Sequence, residues 1–299
     1  RRQGELGLWP EYRGQEAAQI GSAHALRTQD HVFPSYREHG VAHVRGLDLR
    51  EILHLFRGTQ HGGWDPVAHG FHIYTLVIGS HTLHATGYAM GIQRDGDVGT
   101  GDPERDAAVL AHFGDGASSQ GDVNEAFIFA ASYNAPVVFF CQNNQWAIST
   151  FQSIAGGEGT SFAARGVGCG IASLRVDGND FLAVYAASQW AAERARANHG
   201  PTLIEWVTYR GGPHSTSDDP SKYRPANDPA RFPLGDPIAR LKQHLIKLGA
   251  WSDAEHEAMQ KELEAEVTAA QKEAERYGTL ADGMVRSPAE MFEDVYKDM

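Results

Sequence analysis

Two short polar clusters in this chain carry side chains suited to binding a divalent cation together with a phosphate. Gly114-Asp115-Gly116 places a carboxylate between two glycines, and Asn143-Asn144 offers two amides after 26 intervening residues (117–142). Carboxylate and amide oxygens are hard ligands of the kind that Mg²⁺ prefers, usually alongside phosphate oxygens. Glycines let a backbone approach a phosphate closely. The two clusters therefore predict a magnesium and phosphate site, provided that the fold brings them together.

The segments around the clusters predict the fold unit that would do this. Residues 107–113 and 136–141 are short runs rich in Val, Phe and Ala, which is typical of buried strands. Residues 122–134 predict a helix, because five apolar side chains share one face: Val123, Ala126, Phe127, Ala130 and Ala131. The result is a right-handed crossover between neighbouring parallel strands. Ligands of such sheets bind outside the carboxyl ends of the strands, where both clusters are expected to lie.

The rest of the chain predicts an α/β fold built on a doubly wound, mostly parallel sheet. Strands and helices alternate downstream, with a strand in 171–180, a helix in 182–199 and a strand in 202–210. Earlier helices are predicted within 14–27, 48–57 and 75–91, and residues 93–106 as a polar surface insertion. Two helices follow residue 236, the second starting at a capping box of Ser252 and Glu255. We therefore expect an α/β domain over 1–235 and a helical extension packed on it over 236–299.

Composition excludes several classes of partner. The chain has 299 residues, 41% of them hydrophobic and 21% charged, as in ordinary globular proteins. A formal net charge of −12 argues against nucleic acid, and no apolar stretch approaches the ~20 residues of a membrane span. Cys141 and Cys169 are the only cysteines, and Cys141 falls in a predicted buried strand, so we expect a reducing, cytoplasmic location. Because the chain begins at Arg1 rather than Met, a fragment lacking its true N-terminus is expected.

The spacing of the two clusters resembles a known cofactor-binding signature. GDG, 26 residues and NN resemble the thiamine diphosphate-binding motif. Their context, GDGASSQGD…APVVFFCQNNQWAIST, resembles the alpha subunit of the decarboxylating component of 2-oxoacid dehydrogenase complexes, and the similarity covers nearly the whole chain. It implies the thiamine diphosphate-binding (pyrophosphate domain) type of α/β fold. It also implies a Mg²⁺ held by Asp115, Asn144 and the backbone carbonyl of Trp146, and contacts to the cofactor from Gly114, Gly116 and Ala117.

Two further segments resemble cofactor-contacting parts of this family. FPSYREHG resembles the segment whose Tyr-Arg pair contacts the pyrophosphate, here Tyr36 and Arg37, and a guanidinium offers a planar donor fork for phosphate. The resemblance places Leu76 and Ile78 against the cofactor, where the bulk of Ile78 would brace the thiamine in its bent shape. Some family members bind K⁺ in this region, and the comparable residues here are Thr75, Ser80 and His81.

Residues 211–235 form 25 residues of Gly, Pro, Ser and Asp with almost no apolar run. A loop of that length in a compact domain is usually functional or disordered, and composition alone fits a flexible linker equally well. YRGGPHSTSDDPSKYR resembles the family's active-site loop, which carries a histidine near the thiazolium and serines that kinases modify in mitochondrial relatives. His214 and Ser215 occupy those positions. We expect His214 to bind the cofactor and act in catalysis, and the loop to order when cofactor binds.

The resemblance also implies partners and a substrate class. Thiamine enzymes need a glutamate from a second, pyrimidine-binding domain, and nothing in the 299 residues resembles one. In this family it belongs to a beta subunit, so an α₂β₂ heterotetramer is expected, with acyl transfer to lipoyl-lysine of an acyltransferase core. FPSYREHG, HGGWDP and VFFCQNNQWAIS most resemble bacterial branched-chain 2-oxoacid dehydrogenases. Pyruvate and acetoin dehydrogenase alpha subunits share the same motifs, so the 2-oxoacid substrate stays open.

Other function classes stay open from the residues alone. A Mg²⁺-dependent hydrolase or nucleotide-binding α/β protein would need further acidic ligands at strand ends and a glycine pattern near the first strand, and neither is found. A non-catalytic interaction subunit is the third alternative. Zinc is suggested by four nearby histidines, His54, His61, His69 and His72, but they lack paired ligand spacing, so a solvated or site-lining loop is the better interpretation.

Overall fold

A computed structural model of the chain describes residues 6–59, 64–157, 161–232 and 234–276. A five-stranded parallel sheet has the order β1-β2-β3-β7-β6, and β4 and β5 form a separate antiparallel pair. The strands are β1 (His31–Phe33), β2 (Val109–Gly114), β3 (Val137–Asn143), β4 (Trp146–Ala147), β5 (Thr150–Phe151), β6 (Ala172–Asp177) and β7 (Thr202–Val207).

Twelve helices are present in the described ranges. They are α1 (Glu16–His24), α2 (His39–Val44), α3 (Leu49–Arg57), α4 (Pro66–His69), α5 (His81–Asp95), α6 (Gly121–Tyr133), α7 (Gln152–Gly156), α8 (Ala163–Gly168), α9 (Phe181–Arg196), α10 (Asp228–Arg231), α11 (Pro237–Lys247) and α12 (Asp253–Glu275). Single 3₁₀ turns lie at Ala117–Ser119 and Pro220–Lys222. None of the helices described is both long and apolar enough to cross a membrane.

The predicted crossover is confirmed. Strands β2 and β3 are parallel neighbours joined through α6, and their registers pair Gly114 with Gln142 at the carboxyl end. The predicted inner face of α6 is buried at Val123, Ala126, Phe127 and Ala130, while Ala131 is half-buried. The two polar clusters therefore leave the sheet side by side.

Two apolar cores lie on opposite faces of the sheet, which confirms the α/β interpretation. Alternate strand residues such as Leu110 and Phe140 pack with side chains of α1, α2, α3 and α9. Their neighbours, such as Ala111 and Phe139, pack with side chains of α5 and α6. Continuous burial along β2 and β3 follows from covering both faces, as is usual for parallel sheets.

Several boundaries differ from the sequence prediction. Strand β1 was not predicted, because three residues ending before Pro34 give no alternating pattern, and the six-residue α2 was also missed. The helix predicted in 75–91 begins at His81 and runs to Asp95, into the segment predicted as an insertion. The remainder of that insertion turns around Asp106, whose carboxylate accepts from Thr100 N (2.8 Å) and Gly101 N (2.9 Å).

A buried ion pair lies at the amino-terminal edge of the sheet, where the strands begin. Asp30, directly before β1, accepts from the guanidinium of Arg196 at the end of α9, and both side chains are at most 2% exposed. The same carboxylate accepts from Ala108 N (2.8 Å), which precedes β2, and from Arg27 N (2.7 Å). Each of its oxygens is hydrogen-bonded, as a buried charge requires. Asp30 therefore ties β1, β2 and α9 together.

The C-terminal helices start as predicted. Asp236 caps α11 by accepting from Ala239 N (2.8 Å). Ser252 caps α12, accepting from Glu255 N (3.2 Å) and donating to the Glu255 carboxylate (2.7 Å). Helix α12 lies alongside α3, and most of its side chains are exposed. The division at residue 235 stays a prediction.

Candidate functional site

A cleft of about 260 Å³ opens at the carboxyl ends of β2 and β3. Ten of the eleven predicted site residues line it: Tyr36, Arg37, Ile78, Gly114, Asp115, Gly116, Ala117, Asn144, Trp146 and His214. These residues come from five separate segments of the sequence. Sequence and fold thus agree on where the functional groups converge, as expected for ligand sites in open α/β sheets.

Asp115 provides a buried carboxylate with spare hydrogen-bonding capacity. It directly follows β2, and its side chain is buried in the cleft wall. Its Oδ2 atom has no hydrogen-bond partner among the described residues. Burial raises the pKa of Asp115 to about 6, against the opposing effect of nearby backbone N–H groups. Gly116 must be glycine here, because a Cβ would lie 2.5 Å from the Cβ of Ala147.

A strained turn after β3 presents Asn144 and Trp146. Gln145 and Ile148 have φ values of 76° and 53°, in the left-handed region that non-glycine residues avoid. The Asn144 amide donates to Gln15 Oε1 (3.1 Å), and its Oδ1 accepts from Trp146 N (3.2 Å). Such strain clusters at functional sites, where the surroundings over-determine the backbone. The turn places an amide and a backbone carbonyl at the cleft beside Asp115.

Arg210, which the sequence analysis missed, holds this turn in place. Its guanidinium is fully buried and donates to the carbonyls of Trp146 (3.0 Å) and Ile148 (2.8 Å). A carbonyl oxygen has two lone pairs, so Trp146 O keeps one for a cation. The signal available in the sequence was the position of Arg210, three residues after the end of β7.

Arg37 and His214 form one side of the cleft, and Arg37 supplies its positive charge. The Arg37 guanidinium donates to the Glu11 carbonyl, to His214 Nδ1 (3.2 Å) and to the His214 carbonyl (3.0 Å). Tyr36 meets the His214 ring edge-on, with 6.0 Å between ring centroids. Burial, reinforced by Arg37, lowers the pKa of His214 to about 4. The imidazole is therefore neutral, and because Nδ1 accepts from Arg37, its proton lies on Nε2.

The loop carrying His214 is anchored in the structure. Asp218 accepts from His214 N (2.7 Å) and from the Tyr223 hydroxyl (2.6 Å). Arg224 donates to the carbonyls of Arg210 and Gly212, both at 2.6 Å. Residues 211–235, predicted as a loop, thus contain a 3₁₀ turn and helix α10, and several hydrogen bonds hold them in place. Ordering on cofactor binding stays a prediction.

The 75–81 segment divides between the cleft and its surroundings. Ile78 lines the cleft, whereas Leu76 is 61% exposed and lines a neighbouring cavity with Tyr74 and Leu55. The structure therefore does not bring Leu76 to the predicted position, and a direct cofactor contact there stays a prediction. The residues suggested for K⁺ make internal hydrogen bonds: Thr75 N to Ser35 O (2.7 Å), Ser80 Oγ to Val77 O (3.0 Å) and His81 Nε2 with His112 O (2.6 Å).

Four further polar residues line the cleft, and sequence reasoning missed them: Gln15, Ser35, Glu38 and Gln142. Gln15 lies opposite Asn144, and Glu38 accepts from Gln142 Nε2 (2.6 Å) and from Arg37 N (3.1 Å). Burial raises the pKa of Glu38 to about 7. The available signal was adjacency, since Glu38 follows Tyr36-Arg37 and Gln142 precedes Asn143-Asn144. Gln15 had no such signal.

The donor set fits a divalent cation carrying a diphosphate. Asp115 Oδ2, Asn144 Oδ1 and Trp146 O are hard oxygen donors, while Arg37 and neutral His214 suit anionic oxygens. Within the described ranges, no group of three or more His, Cys, Asp or Glu side chains could hold a metal. Of the four histidines considered for zinc, His61 lies outside the described residues, so the expectation against zinc stays a prediction.

Comparisons with known proteins give one consistent result. Residues 1–282 match the sequence profile of the family described as "Dehydrogenase E1 component". The chain is 53% identical to the 2-oxoisovalerate dehydrogenase subunit alpha of Pseudomonas aeruginosa, an alignment that covers all of this chain and 73% of that protein. It is 44% identical to the 3-methyl-2-oxobutanoate dehydrogenase subunit alpha of Mycobacterium tuberculosis (all of this chain, 77% of that protein). It is 40% identical to the pyruvate dehydrogenase E1 component subunit alpha of Acholeplasma laidlawii (all of this chain, 83% of that protein).

Proposed function

The chain belongs to the dehydrogenase E1 component family, and from that premise we propose that it is the alpha subunit of a branched-chain 2-oxoacid dehydrogenase. It takes part in the thiamine diphosphate-dependent oxidative decarboxylation of a 2-oxoacid, with acyl transfer to lipoyl-lysine of an acyltransferase core. Sequence identity supports this substrate class. The chain is more similar to two relatives named for a branched 2-oxoacid than to one named for pyruvate.

Pyruvate dehydrogenase is the second candidate. Relatives with that name match at 40% and 38% identity, and the fold and cleft serve either substrate equally. The family match leaves the hydrolase and interaction-subunit alternatives without support. Discrimination between 2-oxoacids requires a substrate pocket, and the polar cleft described above is suited to the cofactor rather than to an aliphatic side chain.

We assign the metal-binding role to Asp115, Asn144 and the carbonyl of Trp146. The unpartnered Asp115 Oδ2 supports this role, because a buried charged oxygen without a partner is costly and a cation would supply one. Burial also excludes water from the site, which strengthens the attraction between carboxylate and Mg²⁺. Gly114, Gly116 and Ala117 allow the backbone to approach the diphosphate.

Arg37 and His214 bind the diphosphate in this proposal. Bound thiamine diphosphate would supply the carbon nucleophile and the electron sink for decarboxylation. Arg37 holds the His214 ring through Nδ1, so His214 Nε2 is the atom that donates a hydrogen bond or passes a proton in the cleft. Tyr36 limits rotation of the His214 ring, and Ile78 offers an apolar surface at the cleft mouth.

A beta chain completes the site in this proposal, as an α₂β₂ heterotetramer. Among the described residues we find no second domain that could supply the glutamate required by the pyrimidine ring. Apolar side chains at the cleft are strongly exposed, among them the cleft-lining Ile148 (53%) and Val77 (68%), which precedes Ile78, and this supports coverage by another chain. Both cysteines are free thiols, consistent with a reducing cytoplasmic location.

Calorimetry and turnover test the proposal together. The chain assembled with its beta chain should bind thiamine diphosphate in a Mg²⁺-dependent manner and should decarboxylate 3-methyl-2-oxobutanoate with a higher kcat/KM than pyruvate. The chain alone should decarboxylate neither. Absence of cofactor binding by the assembly would overturn the proposed function. A higher kcat/KM for pyruvate would not contradict the cofactor site, but it would identify the chain as a pyruvate dehydrogenase alpha subunit.

A further inference from the structure

Gln15 lies at the start of helix α1, but its side chain does not cap the helix. It occupies the N-cap of α1, where a short polar side chain usually accepts from the first helical N–H groups. Gln15 makes no such capping bond. Its side chain is buried, with 1% of its surface exposed, and it lines the cleft.

The local backbone explains how Gln15 reaches the cleft. Gly14 has φ +88°, and a Cβ there would lie 2.2 Å from the carbonyl oxygen of Tyr209. Only glycine allows this close approach to the segment after β7, where Thr208 Oγ1 also donates to the Gly14 carbonyl (2.6 Å). The start of α1 is therefore held against the strand ends, and Gln15 projects toward the turn that carries Asn144.

The two ends of the Gln15 amide have different environments. Its Oε1 accepts from Asn144 Nδ2 at 3.1 Å. Its Nε2 is buried and has no hydrogen-bond partner among the described residues. A buried donor left unpaired costs roughly 1–3 kcal/mol, so a persistent one requires a specific explanation. Asp115 Oδ2, an unpaired acceptor, lies in the same cleft.

An unpaired acceptor and an unpaired donor in one cleft match the two faces of a hydrated or phosphate-bound cation. A cation would satisfy Asp115 Oδ2, and an oxygen bound to that cation would accept from Gln15 Nε2. The bond from Asn144 Nδ2 to Gln15 also fixes which end of the Asn144 amide is available, so that Oδ1 is the atom left to face the cation.

Resting on the proposed function, we propose that Gln15 is part of the metal–diphosphate site. Its Oε1 orients the Asn144 amide, and its Nε2 donates a hydrogen bond to an oxygen in the coordination shell of the cation. That oxygen belongs to a metal-bound water or to the diphosphate.

The test uses the chain assembled with its beta chain, with Mn²⁺ as a spectroscopic probe for the cation. Gln15→Met keeps the shape and removes both polar ends. It should weaken binding of Mn²⁺ alone by about 10- to 100-fold, the usual effect of losing a group that orients a metal ligand. Gln15→Glu keeps an acceptor for Asn144 and replaces the donor by an anionic oxygen. It should retain Mn²⁺ affinity. If the acceptor is a diphosphate oxygen, it should weaken binding of thiamine diphosphate by at least about tenfold, because two acceptors then face each other.

Gln93→Met is the matched control, because Gln93 bridges Asn134 O and Asn198 Oδ1 far from the cleft. It should bind Mn²⁺ and cofactor as the wild type does. If Gln15→Met loses the same Mn²⁺ affinity with and without thiamine diphosphate, the acceptor is a metal-bound water. If the loss is larger with thiamine diphosphate present, the acceptor is a phosphate oxygen.

One result would overturn the inference, and a second would narrow it. Gln15→Met binding both Mn²⁺ and thiamine diphosphate within twofold of the wild type would remove the orienting and the donor role together, and Gln15→Glu binding thiamine diphosphate within twofold would exclude a diphosphate oxygen as the acceptor. Gln15→Glu also serves if Gln15→Met fails to fold. Failure of the wild type to bind thiamine diphosphate would instead contradict the proposed function, so the two failures are distinguishable.

Discussion

Two buried aspartates lie at opposite edges of the same parallel sheet, Asp30 where the strands begin and Asp115 where they end. They differ in how many hydrogen-bond partners the chain gives them. At the amino-terminal edge, Asp30 accepts from the Arg196 guanidinium and from two backbone N–H groups, and both of its oxygens are paired. At the carboxyl-terminal edge, Asp115 is equally buried, yet its Oδ2 has no partner among the described residues and burial raises its pKa to about 6.

The difference separates a structural carboxylate from one that we propose binds a cation. Asp30 contributes to folding because the chain supplies its full set of donors. Burial of the ionised Asp115 carboxylate costs free energy in the unliganded chain, and in the proposed site a bound cation would offset that cost. The strained residues Gln145 and Ile148 lie at the same edge as Asp115. The carboxyl-terminal edge thus combines an unpaired carboxylate oxygen with backbone strain at Gln145 and Ile148. At the amino-terminal edge the positive φ values belong to Asn134 and Asn198, and asparagine tolerates that conformation.

The largest expected effect is on cofactor binding, from Asp115→Asn. Replacing the carboxylate by a neutral amide should weaken Mg²⁺-dependent binding of thiamine diphosphate by at least about 100-fold, because a directly coordinating charge is lost. The free energy of unfolding of the unliganded chain should not fall, since a buried, incompletely paired charge is removed. Calorimetry of the assembly with its beta chain and urea denaturation measure the two effects. Wild-type cofactor affinity would remove Asp115 from the metal site.

Asp30→Asn should produce the reverse pattern. It leaves the buried Arg196 guanidinium without its carboxylate partner, and breaking a buried pair usually costs about 3–5 kcal/mol. Urea denaturation should show this loss, while the variant that remains folded should bind thiamine diphosphate with wild-type affinity. Asp97→Asn is the matched control, because the Asp97–Arg105 pair is exposed and little stability should depend on it. Stability equal to wild type would contradict the structural role of Asp30.

The same contrast explains what the sequence could and could not predict. Cluster spacing, short apolar runs and the inner face of α6 depend on local patterns, so the crossover and the positions of Asp115 and Asn144 could be predicted. Asp30 and Arg196 are 166 residues apart, and nothing local marks them as partners. Gln15 and Arg210 likewise act on a turn distant in sequence. Strand β1 was missed because three residues carry no periodicity.

The pH dependence of metal binding should distinguish the two edges further. The pKa of Asp115 is raised from its ordinary 3.8 to about 6. The folded chain therefore holds this proton more tightly than the unfolded chain, and stability of the unliganded chain should fall as pH rises from about 4 to 6. Cation affinity depends on the ionised form. It should fall about tenfold per pH unit below pH 6 and reach a plateau above it.

Mn²⁺ titrations between pH 5 and 8 measure this slope. Glu38→Gln is the control, because burial raises the pKa of Glu38 to about 7 and its titration would otherwise overlap that of Asp115. The slope below pH 6 should persist in Glu38→Gln. A slope that disappears in that variant would assign the titration to Glu38 and would weaken the contrast drawn between Asp115 and Asp30.

The smallest expected effect concerns the loop that covers the carboxyl-terminal edge. Ser215 is 8% exposed and lies three residues before Asp218, whose carboxylate holds His214 N and the Tyr223 hydroxyl. Ser215→Glu adds a negative charge close to Asp218 and to the diphosphate. A repulsion of about 1 kcal/mol, as for two charges about 4 Å apart in a water-like medium, would raise the open fraction of the loop about fivefold. Limited proteolysis within 211–235 should accelerate by a similar factor with thiamine diphosphate present, and turnover should fall.

Two control variants should both behave as the wild type. Ser215→Ala adds no charge, and Ser132→Glu adds the charge on the exposed face of α6. Protection of Ser215→Glu equal to wild type, with unchanged turnover, would show that a negative charge at position 215 does not open the loop.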